Sequence, residues 1–221
     1  MSTYGTIGAM EHLSRTVGPL ATNVHLLGDP ATREAIAIDT AIPCLDYVRG
    51  ELDERGWTLK LIVSTHGHWD HIGDNAALAG HTGADIAVHP LDRERLLHPS
   101  RGIAPFEIPP SVAAVDLAEG GVIRFGDLRL DVLHTPGHTE GSVCLLVRDE
   151  GLLFSGDTLF AAGWGRVDLP GGSAEEMASS LARLAGLEDH VQVFPGHGRA
   201  TTIGHERAWL DLVVREGRLL A

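Results

Sequence analysis

The chain has 221 residues, 43% of them hydrophobic, and a formal net charge of −13 at pH 7. That length suffices for one sizeable core, and roughly 200–250 residues is ordinary for a single α/β domain, so one domain over residues 1–221 is expected. The acidic balance and the lack of any basic run weigh against a nucleic-acid partner, because phosphate recognition draws on clustered Lys and Arg. No run reaches the ~20 apolar residues of a membrane span. Residues 1–13 have neither the basic start nor the apolar core of a secretory signal, so a cytoplasmic location without membrane attachment is expected.

In chain order, residues 23–27 and 35–39 alternate as paired strands, turned by Gly28-Asp29-Pro30. Pro43 and Gly56 bracket a helix over residues 44–55. Residues 59–63 form a buried strand, Asp70 or its neighbours open a helix to about Ala79, and residues 85–88 form a short strand. The second half repeats the plan, with strands at 122–125, 128–133, 143–147 and 152–154. Ser173, followed three residues later by Glu176, is a capping-box signature for a helix to about Ala185. A last strand at 191–194 and a last helix at 202–216 complete the chain. Periodicity gives the class α/β and no more.

The densest chemical signal follows the strand at 59–63. Thr65-His66-Gly67-His68-Trp69-Asp70-His71 places three histidines and a carboxylate in six consecutive positions. That is the C-terminal end of a strand, where open α/β sheets carry their chemistry. Neutral imidazole and carboxylate are ligands for zinc, iron and manganese, and one such cluster can face two ions. A solvated turn is the alternative, but four ligand-type side chains so placed favour metal. Three later apolar runs end the same way, in His134-Thr135-Pro136-Gly137-His138-Thr139, Ser155-Gly156-Asp157-Thr158 and Pro195-Gly196-His197-Gly198. Gly or Pro beside each ligand permits tight turns and close backbone approach.

Through His66-x-His68-x-Asp70-His71, then His138, Asp157 and His197, the chain resembles the metallo-β-lactamase fold superfamily over nearly its whole length. Thr135 to Thr139, Ser155-Gly156-Asp157-Thr158-Leu159-Phe160 and Gly165-Arg166 resemble the glyoxalase II, or hydroxyacylglutathione hydrolase-like, branch. Asp168-Leu169-Pro170-Gly171-Gly172 is similar to its short bacterial members. The resemblance implies an αββα sandwich, two β-sheets flanked by helices, with a metal cleft along the sheet edges. It implies two divalent ions, zinc first, with iron or manganese as alternatives. His66, His68 and His138 would hold one ion, Asp70, His71 and His197 the other, and Asp157 would bridge both.

The implied chemistry is hydrolysis of a small acyl thioester by a metal-bridging hydroxide, with Asp70 and Asp157 as the catalytic carboxylates that orient it. A thiolate, with a reference pKa near ~8.5, leaves without a dedicated proton donor. β-Lactam-cleaving relatives lack a carboxylate at the position of Asp157, and lactone-cleaving ones carry a tyrosine just beyond it. Here the tyrosines are Tyr4 and Tyr47, both far upstream. Alternatives are a mononuclear-iron persulfide dioxygenase using His66, His138 and Asp157, a lactonase or other ester hydrolase, and a non-catalytic binding protein. Larger glyoxalase II enzymes hold glutathione with a C-terminal helical domain, whereas 24 residues follow His197 here, so another small thiol is open.

For the small-molecule substrate, Arg166 and Trp164 are the expected contacts. Arg166 can instead pair with Asp168. Trp69 is a second candidate wall, and the proline-rich residues 98–111 are a candidate cover. Of thirteen histidines, His12, His81, His98, His190 and His205 are expected at the surface, and His134 is expected to face away from the metals. His25 and His89 are candidates to support ligating imidazoles. Cys44 and Cys144 read as small buried residues in a reducing compartment.

Overall fold

A computed structural model describes residues 3–7, 10–99, 104 and 107–220. The first sheet takes its strands in chain order: β1 (Thr3–Ile7), β2 (Met10–Val17), β3 (Thr22–Asp29), β4 (Glu34–Ile38), β5 (Thr58–Val63), β6 (Asp85–Val88) and β7 (Val115–Asp116). Pairing is antiparallel from β1 to β4 and parallel from β4 to β7. Four helices, α1 (Leu45–Arg55), α2 (Trp69–Ile72), α3 (Asn75–Thr82) and α4 (Arg93–Leu97), fall between the parallel strands.

The second sheet follows a related plan. β8 (Val122–Phe125), β9 (Leu128–His134), β10 (Val143–Val147) and β11 (Leu152–Gly156) form an antiparallel meander. A two-stranded ribbon, β12 (Leu159–Phe160) with β13 (Gly163–Trp164), and helix α5 (Ala174–Leu184) then lead to β14 (Gln192–Pro195), parallel to β11. β15 (Thr201–Thr202) forms the sheet edge, and α6 (Ile203–Glu216) is the last element.

Period-two alternation sorts the side chains into layers. On β3 and β4, Val24, Leu26, Ala35 and Ala37 join Val48 and Leu52 of α1 and Leu78 of α3. Leu27, Ile36 and Ile38 point the other way, onto Leu130, Val132, Val143, Leu145 and Phe154 of the second sheet. Cys144, Leu146, Leu153 and Val193 face Met177, Leu181, Leu184, Leu210 and Val213 of α5 and α6. The result is helix, sheet, sheet, helix: the αββα sandwich. Among the described residues no helix is long and apolar enough to cross a membrane.

Most expected elements recur within a residue or two of their ends. The helix expected from Asp70 to Ala79 is instead two, α2 and α3, broken at Gly73-Asp74. A Cβ at Gly73 would lie 2.7 Å from Ile42, so the chain passes too close to Ile42 for an ordinary side chain. Asp74 turns to accept the N–H groups of Cys44 (2.5 Å) and Leu45 (2.9 Å), capping α1 from outside. Ser173 does cap α5 by accepting from Glu176 N–H (3.2 Å), but its own N–H donates to the Gly137 carbonyl, so the reciprocal half of the box is not made. Strands β1 and β2 had no counterpart in the sequence reading. Residues 100–103, 105 and 106 of the expected cover lie outside the described residues.

Candidate metal centre

Every expected ligand sits in the segment that follows a strand's C-terminal end, five of them in loops and Asp70 and His71 on helix α2. The loop after β5 carries His66 and His68 and runs into α2 with Asp70 and His71. On the second sheet, His138 follows β9, Asp157 follows β11 and His197 follows β14. These three strands run in one direction, so the sandwich brings their ends to one rim, opposite the β5 loop.

The ligand atoms converge in three overlapping groups: two share no residue, and the third, His66, His71 and Asp157, joins them. Those of His66, His68 and His138 lie within 4.8 Å of one another, as do those of Asp70, His71 and His197. His68 Nδ1 is 2.8 Å from His138 Nε2, and His71 Nε2 is 3.1 Å from His197 Nε2. Asp157 stands between the groups: Oδ2 lies 3.4 Å from His138 Nε2 and 3.5 Å from His197 Nε2, and Oδ1 lies 3.5 Å from His71 Nε2. Asp70 Oδ2 is 3.2 Å from His197 Nε2 and 3.4 Å from His71 Nε2. His66 Nε2 and Asp157 Oδ1 are buried without a hydrogen-bond partner. Buried polar atoms rarely remain unmatched, and two such atoms aimed into a cluster of imidazoles and carboxylates fit divalent cations.

The outward ring nitrogens are held by groups the sequence reading did not single out. His71 Nδ1–H donates to Asp39 Oδ2 (3.0 Å), and Asp39 also accepts the Thr65 N–H and hydroxyl, both at 2.8 Å. Asp39 has φ 55°, a left-handed backbone that Asp tolerates better than most residues. His138 Nδ1–H donates to the Arg166 carbonyl (2.8 Å) and His197 Nδ1–H to the Leu20 carbonyl (3.0 Å). Buried Asp92 accepts from Gly67 N–H (2.7 Å), Thr139 Oγ1–H (2.8 Å) and Gly141 N–H (3.2 Å), tying the β5 loop to the β9 loop. An acid ending the strand beside the one that bears the cluster was the available signal for Asp39; Asp92 offered none.

Charge divides the two groups. Burial, followed by the surrounding histidines, lowers the pKa of His66, and burial with His138 lowers that of His68 to about 3. Burial also lowers His138, partly offset by Asp157. In the other group burial opposes charge, but Asp157, Asp70 and Asp39 together raise His71 to about 10. Against the same burial penalty, Asp70 and Asp157 raise His197. Asp70 is lowered despite burial, by His71 and His197.

The groups open into a cleft of about 370 Å³, walled by Leu20, Trp69, Phe160 and Leu169 and reached by Arg166. Arg166 is exposed and its guanidinium donates to both carboxylate oxygens of Asp168, at 2.7 and 2.8 Å. Trp69 does wall the cleft. Trp164 does not: its ring lies tilted at 45° to that of Trp209, with centroids 5.6 Å apart, and packs against the α5–α6 layer instead of the cleft.

The remaining histidines divide unevenly. His81, His98, His190 and His205 are exposed as expected. His12 is a correction: it is 6% exposed, and its Nε2 lies 3.1 Å from Nδ1 of His25 in the inter-sheet layer beside Phe154 and Phe194. β2 turns His12 inward between the sheets, which a short polar-looking segment did not reveal. His134 Nε2 meets the Glu140 carbonyl (2.9 Å) and its ring stacks on His89, away from the ligands. Both cysteines are buried and free.

Comparison with known proteins agrees with this geometry. The profile of the Metallo-beta-lactamase superfamily matches residues 17–197. An uncharacterized protein of Mycobacterium tuberculosis is 36% identical over 206 residues, spanning 86% of this chain and 92% of its own. The hydroxyacylglutathione hydrolase of Maricaulis maris is 38% identical over 172 residues, covering 78% of this chain but 60% of that hydrolase. Among solved structures, the BLEG-1 B3 metallo-beta-lactamase is 31% identical with a TM-score of 0.82, over 88% of this chain and 95% of that one. A di-iron-bound form of TTHA1623 is 33% identical with a TM-score of 0.76, over 87% and 96%. ETHE1 from Myxococcus xanthus is 31% identical with a TM-score of 0.77, over 93% and 87%. The chain belongs to the metallo-β-lactamase superfamily.

Proposed function

We propose that this chain is a metal-dependent hydrolase that cleaves a small acyl thioester. The observation that carries the reading is the position of Asp157, within 3.5 Å of ring nitrogens from both ligand groups. His66, His68 and His138 would hold one cation, Asp70, His71 and His197 a second, with Asp157 shared. Divalent cations there, zinc or iron in character, would supply a nucleophilic hydroxide near neutral pH and polarise an acyl carbonyl.

The chain's own residues do the rest. Asp70 and Asp157 offer carboxylate oxygens that accept the proton of an attacking water and fix its lone pair toward the cleft. Leu20, Trp69, Phe160 and Leu169 wall the substrate and exclude solvent around the reacting carbon. As the water oxygen bonds to that carbon, the C–S bond breaks and the sulfur leaves as thiolate. Beyond the ligand set and Arg166, which is paired with Asp168, the described cleft residues bring no titratable side chain dedicated to protonating a leaving group, which suits a thiolate better than an amide nitrogen.

Likeness to ETHE1 favours a second reading, a mononuclear-iron persulfide dioxygenase using His66, His138 and Asp157. Metal content and a substrate panel separate the readings. The panel holds thioesters of glutathione and of smaller thiols, a lactone, a β-lactam, and a persulfide assayed by oxygen uptake. The expected result is two ions per chain and a kcat/KM for thioesters above those for lactone and lactam. Persulfide-dependent oxygen consumption by iron-loaded protein that outpaces every hydrolysis would replace the hydrolase with the dioxygenase.

A further inference from the structure

The loop bearing His197 belongs to the second sheet, yet the bonds that hold it come largely from the first. Asn23, on β3 and only 9% exposed, reaches across the rim. Its Nδ2 donates to the carbonyls of Pro195 (3.0 Å) and Gly198 (2.9 Å), which flank His197. Its backbone N–H donates to the Gly196 carbonyl (2.7 Å). A carboxamide has a donor end and an acceptor end, and the hydroxyl of Thr16 on β2 fixes which end faces the loop by donating to Asn23 Oδ1 (2.8 Å).

Neighbouring residues of the same hairpin touch the ligands themselves. Leu20 accepts the His197 Nδ1–H (3.0 Å), and the Thr22 hydroxyl donates to Asp70 Oδ2 (3.1 Å). Thr22 also pairs with His197 as an isolated backbone bridge. The hairpin therefore grips both His197 and Asp70. The other group is tied separately, by Asp92 joining Gly67 to Thr139 and Gly141.

We propose that Asn23, oriented by Thr16, is a positioning residue that holds the His197 loop in register with Asp70 and so sets the affinity of the second cation site alone. The inference rests on the two-cation reading above. Groups that fix ligating imidazoles typically carry about 10–100-fold in metal affinity, and here that effect falls on one site because the latch touches one loop. A purely structural role would weaken both sites together.

The test titrates metal-free protein with Co²⁺ and follows its absorption bands, for wild type, Asn23→Leu, Thr16→Val and Thr16→Ser. Asn23→Leu should weaken the second step by about 10–100-fold and leave the first unchanged. Thr16→Val should move the second step the same way by less, and Thr16→Ser, which keeps the hydroxyl, should restore it. An unchanged second step in Asn23→Leu, or equal weakening of both steps in Asn23→Leu and Thr16→Val, overturns the proposal. A wild type that takes up one ion defeats the two-cation reading instead. The latch is then decided by proton NMR of metal-free protein: the His197 Nδ1–H, which donates to the Leu20 carbonyl, should exchange slowly with solvent in wild type and rapidly in Asn23→Leu, and identical exchange rejects it.

Discussion

The two ligand groups share one cleft but differ in charge. The group of His66, His68 and His138 is all imidazole, and burial drives its histidines toward the neutral form. The group of Asp70, His71 and His197 sits among carboxylates that outweigh the same burial and favour protonated rings. A cation needs deprotonated ligands, so it meets free nitrogens in the first group and must displace protons in the second. Ligand identity alone therefore does not rank the sites; the surrounding carboxylates do.

The largest expected effect lies where the groups meet. Asp157→Ala removes the carboxylate that faces both, and kcat/KM should fall by roughly 10²–10⁴-fold, the range for a positioned acid–base group. Arg166→Ala should cost about fivefold or less, because its guanidinium is exposed and already paired with Asp168. Similar losses in kcat for the two variants, at unchanged metal content, would remove Asp157 from its assigned place.

Two glycines, both against the shared Asp157, allow the groups to be disturbed unequally. A Cβ at Gly165 would press on the Asp157 carbonyl and come within 3.1 Å of His138 Nδ1. A Cβ at Gly196 would press on Asp157 Oδ1 and come within 2.6 Å of His71 Cε1. Gly165→Ala should therefore weaken the first cation more, and Gly196→Ala the second, each by about 10–100-fold as judged by stepwise metal titration. The reverse ranking would show that the groups are not independent.

What the sequence disclosed and withheld follows the same division. The ligands were legible because each stands beside a Gly or Pro turn directly after an apolar run, so local pattern and chemistry coincide. Their holders were not. Asn23 grips carbonyls more than 170 positions away and Asp92 grips Thr139, 47 positions on, so only packing brings them together. β2 was missed for a related reason: Met10 and His12 face the inter-sheet layer while Leu13 faces the helices, so burial on both sides hid its alternation. The break between α2 and α3 was equally hidden, being set by contact with Ile42.

Proton displacement gives the next prediction. His71, raised to about 10, stays largely protonated through neutral pH, and His197 is raised as well. Affinity for the second cation should thus rise with pH by about tenfold per unit for each proton displaced. Affinity for the first should be nearly flat between pH 6 and 8, because His68, with a pKa near 3, is already neutral there. Calorimetry in buffers of different ionisation enthalpy counts the released protons for each step. Equal release in both steps would contradict the contrast.

The last expected effect is on stability rather than on the metal sites, behind the second group, where His12 and His25 lie buried against each other. Burial lowers His12 to about 4 and, with His12 beside it, pushes His25 well below its ordinary value. In the unfolded chain both would titrate near 6.5. Between pH 6.5 and 4 the unfolded state binds more protons, so their contribution is fully present above 6.5 and is lost as pH falls toward 4. For His12 the loss by pH 4 is on the order of 3 kcal/mol. His71 and His197 add no slope in that window, since rings with raised pKa values are protonated below 6.5 in both states. Buried His66 and His68 do add to it in metal-free protein, so the contribution of His12 must come from a difference. His12→Leu replaces a ring packed against Phe154 and Phe194 with an apolar side chain that cannot titrate. Urea unfolding of metal-free protein across this range should show the variant losing less stability on acidification than wild type, by about one proton's worth of slope. Parallel pH profiles would mean that His12 is not held neutral, and that the inter-sheet layer behind the metal centre is wetter than its packing requires.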